Sequence, residues 1–308
     1  MTLHYLAQQV IYGLSVGATY ALIALGYTMV YGVLRLINFA HGDVYMVGAM
    51  VGYYLAQWMI QTVRAPVWAA LTVVFAGSTL ACAILGFVIE RFAYRPLRQR
   101  PRLVLLITAI GVSLLLENLF QLRVIFGPTP RHYPQELSTA LSASIGLLGL
   151  TRLDVLSLLL SLALVAVLTW IVLATRTGLA LRAVSFRFDT AMLMGINTDR
   201  IIAFTFMFGS GLAAAAGVLN AVRYQVDPLM GIGWGLKAFI AAVLGGIGSV
   251  AGALLGGLLL GMVETLLRGV LLPRAYTGYS DGAAFVILIL VLLLRPSGLL
   301  GRPAQEKV

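Results

Sequence analysis

The chain has 308 residues, 60% of them hydrophobic and only about 10% charged, with 21 basic and 11 acidic residues giving a net charge of +10. A soluble domain carries roughly 25% charged residues, and a mean hydropathy of +0.97 leaves too little polar surface for a soluble enzyme, a nucleic-acid binder or a disordered chain. The composition is that of an all-α, polytopic membrane protein, whose excess of positive charge belongs in cytoplasmic loops.

A helix needs about 20 apolar residues to cross the hydrocarbon core. In chain order, the windows free of charge are Tyr5–Leu34, Val44–Val63, Ala65–Ile89, Leu103–Leu116, Val155–Thr175, Ile201–Val222, Ala238–Val263 and Gly282–Leu294. Met1 to Gln9 has no basic region ahead of the first window, so no cleavable signal peptide is expected there. Cys82 is a lone cysteine in an apolar run and reads as a small packing residue. The fourth window is short unless its helix continues past Glu117, and the last needs residues before Asp281. The seventh is interrupted by Gly245-Gly246-Ile247-Gly248-Ser249 and reads as two helices or one broken helix. The expectation is one transmembrane domain over 1–308, a bundle of eight to ten helices with that glycine-interrupted segment at 238–263.

Basic residues set the orientation. Arg91 to Arg102 holds five arginines and Arg176 to Arg200 four, and both stretches are predicted to be cytoplasmic. The segment between them, Gln121 to Arg152, then lies outside, and its Gly127-Pro128 and Tyr133-Pro134 are turn formers. With the seventh window split, the N-terminus falls outside and the C-terminus, with Arg295, Arg302 and Lys307, inside. Glycines at four-residue spacing (Gly13 and Gly17; Gly248, Gly252 and Gly256; Gly257 and Gly261) predict close helix packing, with sliding during gating as the sharper alternative.

Catalytic signatures are missing. The P-loop pattern that would cradle nucleotide phosphates does not occur, and neither Lys237 nor Lys307 follows a glycine. His4, His41 and His132 are far apart, and no GxSxG or HExxH is present. The chain therefore reads as a transporter and not an enzyme. Coupling to an ion gradient would use ionisable groups within the membrane. The candidates are Glu117, Lys237 and Glu264, with Asp43 and Glu90 near span ends; each could equally sit at a helix terminus.

The inside segment 176–200 is too polar to span and too patterned for a bare connector. Asp189 suits a helix start, and a short helix can run from there to Met194, with Gly195 as its stop. Such a helix could dock on a partner or simply lie at the membrane interface.

Several motifs in order make a resemblance specific: Gly26-Tyr27-Thr28-Met29-Val30-Tyr31-Gly32, Ile37-Asn38-Phe39-Ala40-His41-Gly42-Asp43, Glu90-Arg91-Phe92-Ala93-Tyr94-Arg95-Pro96-Leu97-Arg98, Gly195-Ile196-Asn197-Thr198-Asp199-Arg200, Lys237-Ala238-Phe239 through Ser249, and Gly301-Arg302-Pro303. Over nearly its whole length the chain resembles the H-type permeases of bacterial high-affinity branched-chain amino acid importers of the ATP-binding-cassette class. The external segment Gln121–Leu150 carries none of these motifs. The resemblance implies a multi-pass protein of the bacterial inner membrane, surrounded by lipid, with no nucleic-acid partner. It also implies a second, related permease subunit, two cytoplasmic ATP-binding subunits and a soluble substrate-binding protein. ATP and Mg would be used by the partner subunits, and this chain would bind no cofactor. The loop with Arg182, Asp189, Ala191, Gly195 and Asp199 would couple to the ATPase.

Two places combine helix breakers with polar groups, as substrate sites in transporters do. They nominate Asn38, His41, Lys237, Gly245, Gly246, Gly248, Ser249 and Glu264 for the translocation pathway, against a plain turn at the first place and plain packing at the second. Branched-chain amino acids are the expected solute. Urea or short amides on the same type of permease, or a stand-alone ion-coupled transporter, are the rivals.

Overall fold

The structure is a computed structural model and describes residues 3–146, 149–271 and 273–301. Helix α1 (Leu3–Leu34) is a single span whose hydropathic centre is mostly buried. α2 (His41–Gln57) follows a tight turn and continues through a π-helical turn, Trp58–Thr62. α3 (Val67–Ile89) runs on through a π turn, Glu90–Tyr94, and a 3₁₀ turn, Arg95–Leu97. α4 (Arg102–Gln121) does pass Glu117, which is buried. A short helix, α5 (Gln135–Ser142), and a two-stranded hairpin, β1 (Ser144–Ile145) with β2 (Leu150–Thr151), precede α6 (Arg152–Ala174). Then come α7 (Arg176–Phe186), α8 (Phe188–Leu193), α9 (Thr198–Arg223), α10 (Met230–Gly245) and α11 (Val250–Leu266). α11 ends in a π turn, Leu267–Leu271, and a 3₁₀ helix, Arg274–Tyr279, leads into α12 (Ser280–Leu294).

Among the described residues seven helices are long and apolar enough to cross a membrane: α1, α3, α4, α6, α9, α11 and α12 with their continuations. α2 and α10 are shorter and lie within the bundle, and counting them gives nine legs.

The termini of these helices have local causes. Thr151 and Asp154 form a capping box at the start of α6, with Asp154 N–H donating to Thr151 Oγ1 at 3.2 Å and Thr151 N–H to Asp154 at 3.0 Å. Thr175 accepts from Gly178 N–H at 3.1 Å to start α7, and Asn197 accepts from Arg200 N–H at 3.1 Å to start α9. The long seventh window is two helices. Gly246 and Gly248 both have positive φ, +103° and +95°, and Ser249 caps α11 by accepting from Gly252 N–H at 3.1 Å.

α1 and α9 form the centre. α11 lies antiparallel along α1, α2 and α3 pack on α9, and α10 fills the space between α1, α2 and α11. Lipid gives no hydrophobic drive between helices, so association rests on close backbone approach. A β-carbon added at Gly17 would stand 2.8 Å from Gly257 O, and one at Gly13 would stand 2.9 Å from Met262 Cα. One at Gly256 would stand 2.8 Å from Gly245 N. Gly257 and Gly261 thus face α1 while Gly252 and Gly256 face α10. Gly248 belongs to the turn instead, so the expected three-glycine stripe begins at Gly252.

Orientation follows from who meets whom. Arg95 and Arg98, after α3, pair with Asp199 at the start of α9, and Arg35, after α1, reaches Ser185 of α7. Both arginine-rich stretches therefore share one end, the cytoplasmic one. Residues 297–301 are at that end too, with Leu299 and Leu300 N–H donating to Leu244 O and Gly245 O. Arg302 and Lys307 lie outside the described residues. The chain start is at the other end, where Arg131 pairs with Val226 and Tyr133 donates to Ala49 O at 2.9 Å.

Candidate functional site

Below the external end lies a cavity of about 610 Å³ between α1, the α9–α10 connection, α11 and the start of α12. Tyr12, Tyr20, Tyr224 and Trp234 supply its aromatic wall, with the Tyr20 and Trp234 ring centroids 5.2 Å apart and those of Tyr224 and Trp234 6.0 Å apart. Tyr224, Gln225 and Leu229 at its margin are exposed. Four charges meet on its wall. Lys237 Nζ is 2.8 Å from Glu264 Oε1 and 3.0 Å from Asp281 Oδ1. Arg268 pairs with the same two oxygens, at 2.8 Å from Glu264. Tyr20 donates to the other Glu264 oxygen at 2.7 Å. Each carboxylate thus faces two cations, which offsets the cost of holding charge inside the bundle. Lys237 in the middle of α10 and Glu264 in the last turn of α11, ahead of its π-helical continuation, stand together on the cavity wall.

The other pathway candidates lie elsewhere. Asn38 is buried in the α1–α2 turn and accepts from Tyr94 Oη at 2.8 Å. His41 packs edge-on against Tyr27, ring centroids 4.7 Å apart, beside Gly26. Together they seat the first turn of α2 against α1 and the π turn after α3. The place is a turn between two helices in which Asn38 is buried and Phe39 exposed. Gly245, Gly246, Gly248 and Ser249 form the α10–α11 turn against residues 297–301, and none of them lines the cavity. Asp43 accepts from Ser113 Oγ at 2.5 Å, with Glu117 beside it, and Glu90 pairs with Arg98. These three carboxylates are spread among α2, α4 and the end of α3, apart from the Lys237 cluster.

At the cytoplasmic end the 176–200 segment is a helical hairpin. α8 covers Phe188–Leu193, Asp189 stands in its first turn, and Gly195 ends it with φ +81° while donating to Met192 O at 3.0 Å. Ala191 is buried, whereas Arg182, Asp189 and Gly195 are exposed. Phe186, Leu193 and Met194 project with more than three-quarters of their surface free. Asp199 is held by Arg95 and by Arg98, the latter at 2.6 Å. Burial lowers the Arg98 guanidinium below its ordinary value while Asp199 pulls it back up.

Residues 9–294 match the family described as the permease component of branched-chain amino acid transport systems. The chain belongs to this family. It is 44% identical to the high-affinity branched-chain amino acid transport system permease protein LivH of Escherichia coli K12, over 99% of this chain and 98% of that one. It is 43% identical, with the same coverage, to the corresponding protein BraD of Pseudomonas aeruginosa. An autoinducer 2 import system permease of Yersinia pseudotuberculosis shares 31% identity over 44% of this chain. Members of the family are membrane permease components, and this chain is a multi-pass inner-membrane permease.

Sequence reasoning missed Arg268 and Asp281 as partners of Lys237 and Glu264, and it missed α7. Arg268 was detectable: it stands four residues after Glu264, the spacing that puts opposite charges on one helix face. Asp281 carried no such signal, because the contact joins α12 to α10 and α11. Tyr20 read only as a span residue, and Trp234 fell between two apolar windows. The Thr175 cap before Arg176 was the available sign of α7.

Proposed function

We propose that this chain forms one part of the translocation path of an ATP-driven importer for branched-chain amino acids. The family match over 9–294, at 43–44% identity to full-length permeases named for that transport, carries the reading. The partners are a second related permease, two cytoplasmic ATP-binding subunits that use ATP and Mg, and a substrate-binding protein outside. The cavity is the outer part of the path, with Lys237 and Glu264 on its wall. Below it, Asn38 and His41 brace α2, while Gly245, Gly246, Gly248 and Ser249 with residues 297–301 close the cytoplasmic end. In this conformation the path is open outward and shut inward.

The exposed apolar tip of the α7–α8 hairpin supports the coupling assignment. Phe186, Leu193 and Met194 fit an apolar groove on an ATP-binding subunit, and buried Ala191 seats α8 on the bundle. Arg182 and Asp189 are exposed to a partner, Gly195 sets the turn into α9, and Asp199, through Arg95 and Arg98, joins the start of α9 to the end of α3. Motion of the seated hairpin would then reach the two helices that pack against each other in the bundle centre. The test is the purified chain alone in liposomes, under a proton or sodium gradient. It should accumulate no leucine, and gradient-driven uptake would sink the importer reading.

A further inference from the structure

We infer that the Lys237–Glu264–Arg268–Asp281 cluster is a carboxylate-exchange site, in which the α-carboxylate of a zwitterionic amino acid takes the place that Asp281 holds in this structure. The inference rests on the importer reading and goes further, to the chemistry that selects the solute.

The four members of the cluster are not equivalent. The Glu264 side chain is 4% exposed and the Lys237 side chain 14%, but Asp281 is 53% exposed and Arg268 43%. Glu264 is also tied by Tyr20, while no hydrogen bond from an uncharged side chain holds Asp281 among the described residues. Asp281 sits at the first turn of α12, the span with the least buried of all the apolar windows. Its carboxylate is therefore the one that can leave. An exposed ion pair is worth little net free energy, because water and salt compete for both partners. Lys237 Nζ and Arg268 share the single oxygen Oδ1 of Asp281, and a substrate carboxylate can present an oxygen to both in the same way, so the exchange keeps both cations paired. Departure of Asp281 removes the ion pairs that tie the start of α12 to α10 and to Arg268, leaving the Arg268 Nε–Ser280 Oγ hydrogen bond at 2.5 Å as the remaining polar tie to the end of α11.

The rest of the wall completes a zwitterion site. Asp227 lines the same cavity and forms no ion pair among the described residues; one of its oxygens accepts from Leu229 N–H at 2.7 Å. The charges on the wall, two cations against Glu264, Asp281 and Asp227, leave one negative charge uncompensated. That surplus suits an ammonium and opposes an anion. Trp234 lines the same cavity, with Lys237 Nζ 5.9 Å from its ring centroid and the Tyr224 ring tilted against it at 45°, and offers a ring face to a cation. A neutral amide or urea has no carboxylate with which to replace Asp281.

The test uses the complex of both permeases and both ATP-binding subunits, purified without nucleotide and without the substrate-binding protein, titrated with L-leucine, leucinamide, 4-methylpentanoate and urea by calorimetry. Wild type should bind leucine and bind each of the other three at least about tenfold more weakly, since leucinamide lacks the carboxylate, 4-methylpentanoate the ammonium and urea both. Asp281→Asn removes the tethered competitor at a half-exposed position and should bind leucine more tightly than wild type. Arg268→Gln should bind it about tenfold more weakly. The inference is overturned if Asp281→Asn leaves leucine affinity unchanged or lowers it, or if leucinamide binds as well as leucine. ATP-driven leucine uptake by the same wild-type complex, with the substrate-binding protein added, separates the two levels. Uptake with unchanged KM in both variants removes the exchange site and leaves the importer reading standing. Absence of leucine uptake in wild type removes the reading itself.

Discussion

At Gly195 the backbone, not the packing, decides which residue can stand there. A β-carbon at that position would meet nothing within 4 Å, yet φ is +81°, a region L side chains rarely adopt. Gly195→Val is expected to strain the end of α8 by about 1–3 kcal/mol and to leave insertion into the membrane intact. The readout is the ratio of substrate imported to ATP hydrolysed in the assembled complex, which should fall. A wild-type ratio would reduce the hairpin to an ordinary connector. Ser249 is the converse case. Its hydroxyl caps α11, so Ser249→Ala should cost about 1 kcal/mol of stability, seen as a lower midpoint of thermal unfolding, with KM for uptake unchanged. A raised KM with the midpoint intact would return Ser249 to the pathway. The residue scale is also where sequence reading reached least far. Lys237 and Glu264 stood out because they flank the apolar window Ala238–Val263, and charge that close to the membrane interior is costly, a cost visible without a structure. Asp227, Asp281 and Tyr20 did not stand out, because their meaning comes from neighbours on other helices.

Elements were more legible. Apolar windows bounded by charge, glycines at four-residue spacing and capping residues are local signals, and α1, α3, α6, α9 and the α10–α11 break fall where they point. α7 and the burial of Asn38, His41 and Asp43 escaped, since both depend on tertiary packing of polar-looking sequence. Packing between α1 and α11 gives a test on this scale. A β-carbon at Gly257 would press on the Ala21 backbone, whereas one at Gly111 on α4 would meet nothing within 4 Å. Gly257→Leu should therefore force α1 and α11 apart and destabilise the chain by more than about 1–3 kcal/mol, the usual cost of overpacking. Gly111→Leu should leave the unfolding midpoint within the scatter of wild type. Equal midpoints for the two variants would contradict the assignment of Gly257 to a backbone-close interface.

On the scale of the whole molecule, the structure divides into two working ends. The external end holds an aromatic-walled cavity with paired charges, and the cytoplasmic end holds a projecting helical hairpin beside the ion pairs of Arg95 and Arg98 with Asp199, which fasten the turn after α3 to the start of α9. α1 and α9 run between these ends and are the most buried of the spans, so they are the elements through which movement at one end can reach the other. The most direct measurement is uptake by the chain reconstituted with its sister permease, the two ATP-binding subunits and the substrate-binding protein, supplied with ATP and either labelled leucine or labelled urea. ATP-dependent accumulation of leucine, absent for urea and lost when any one partner is omitted, is the predicted result. Accumulation of urea in place of leucine, or leucine uptake that persists without the ATP-binding subunits, would contradict it.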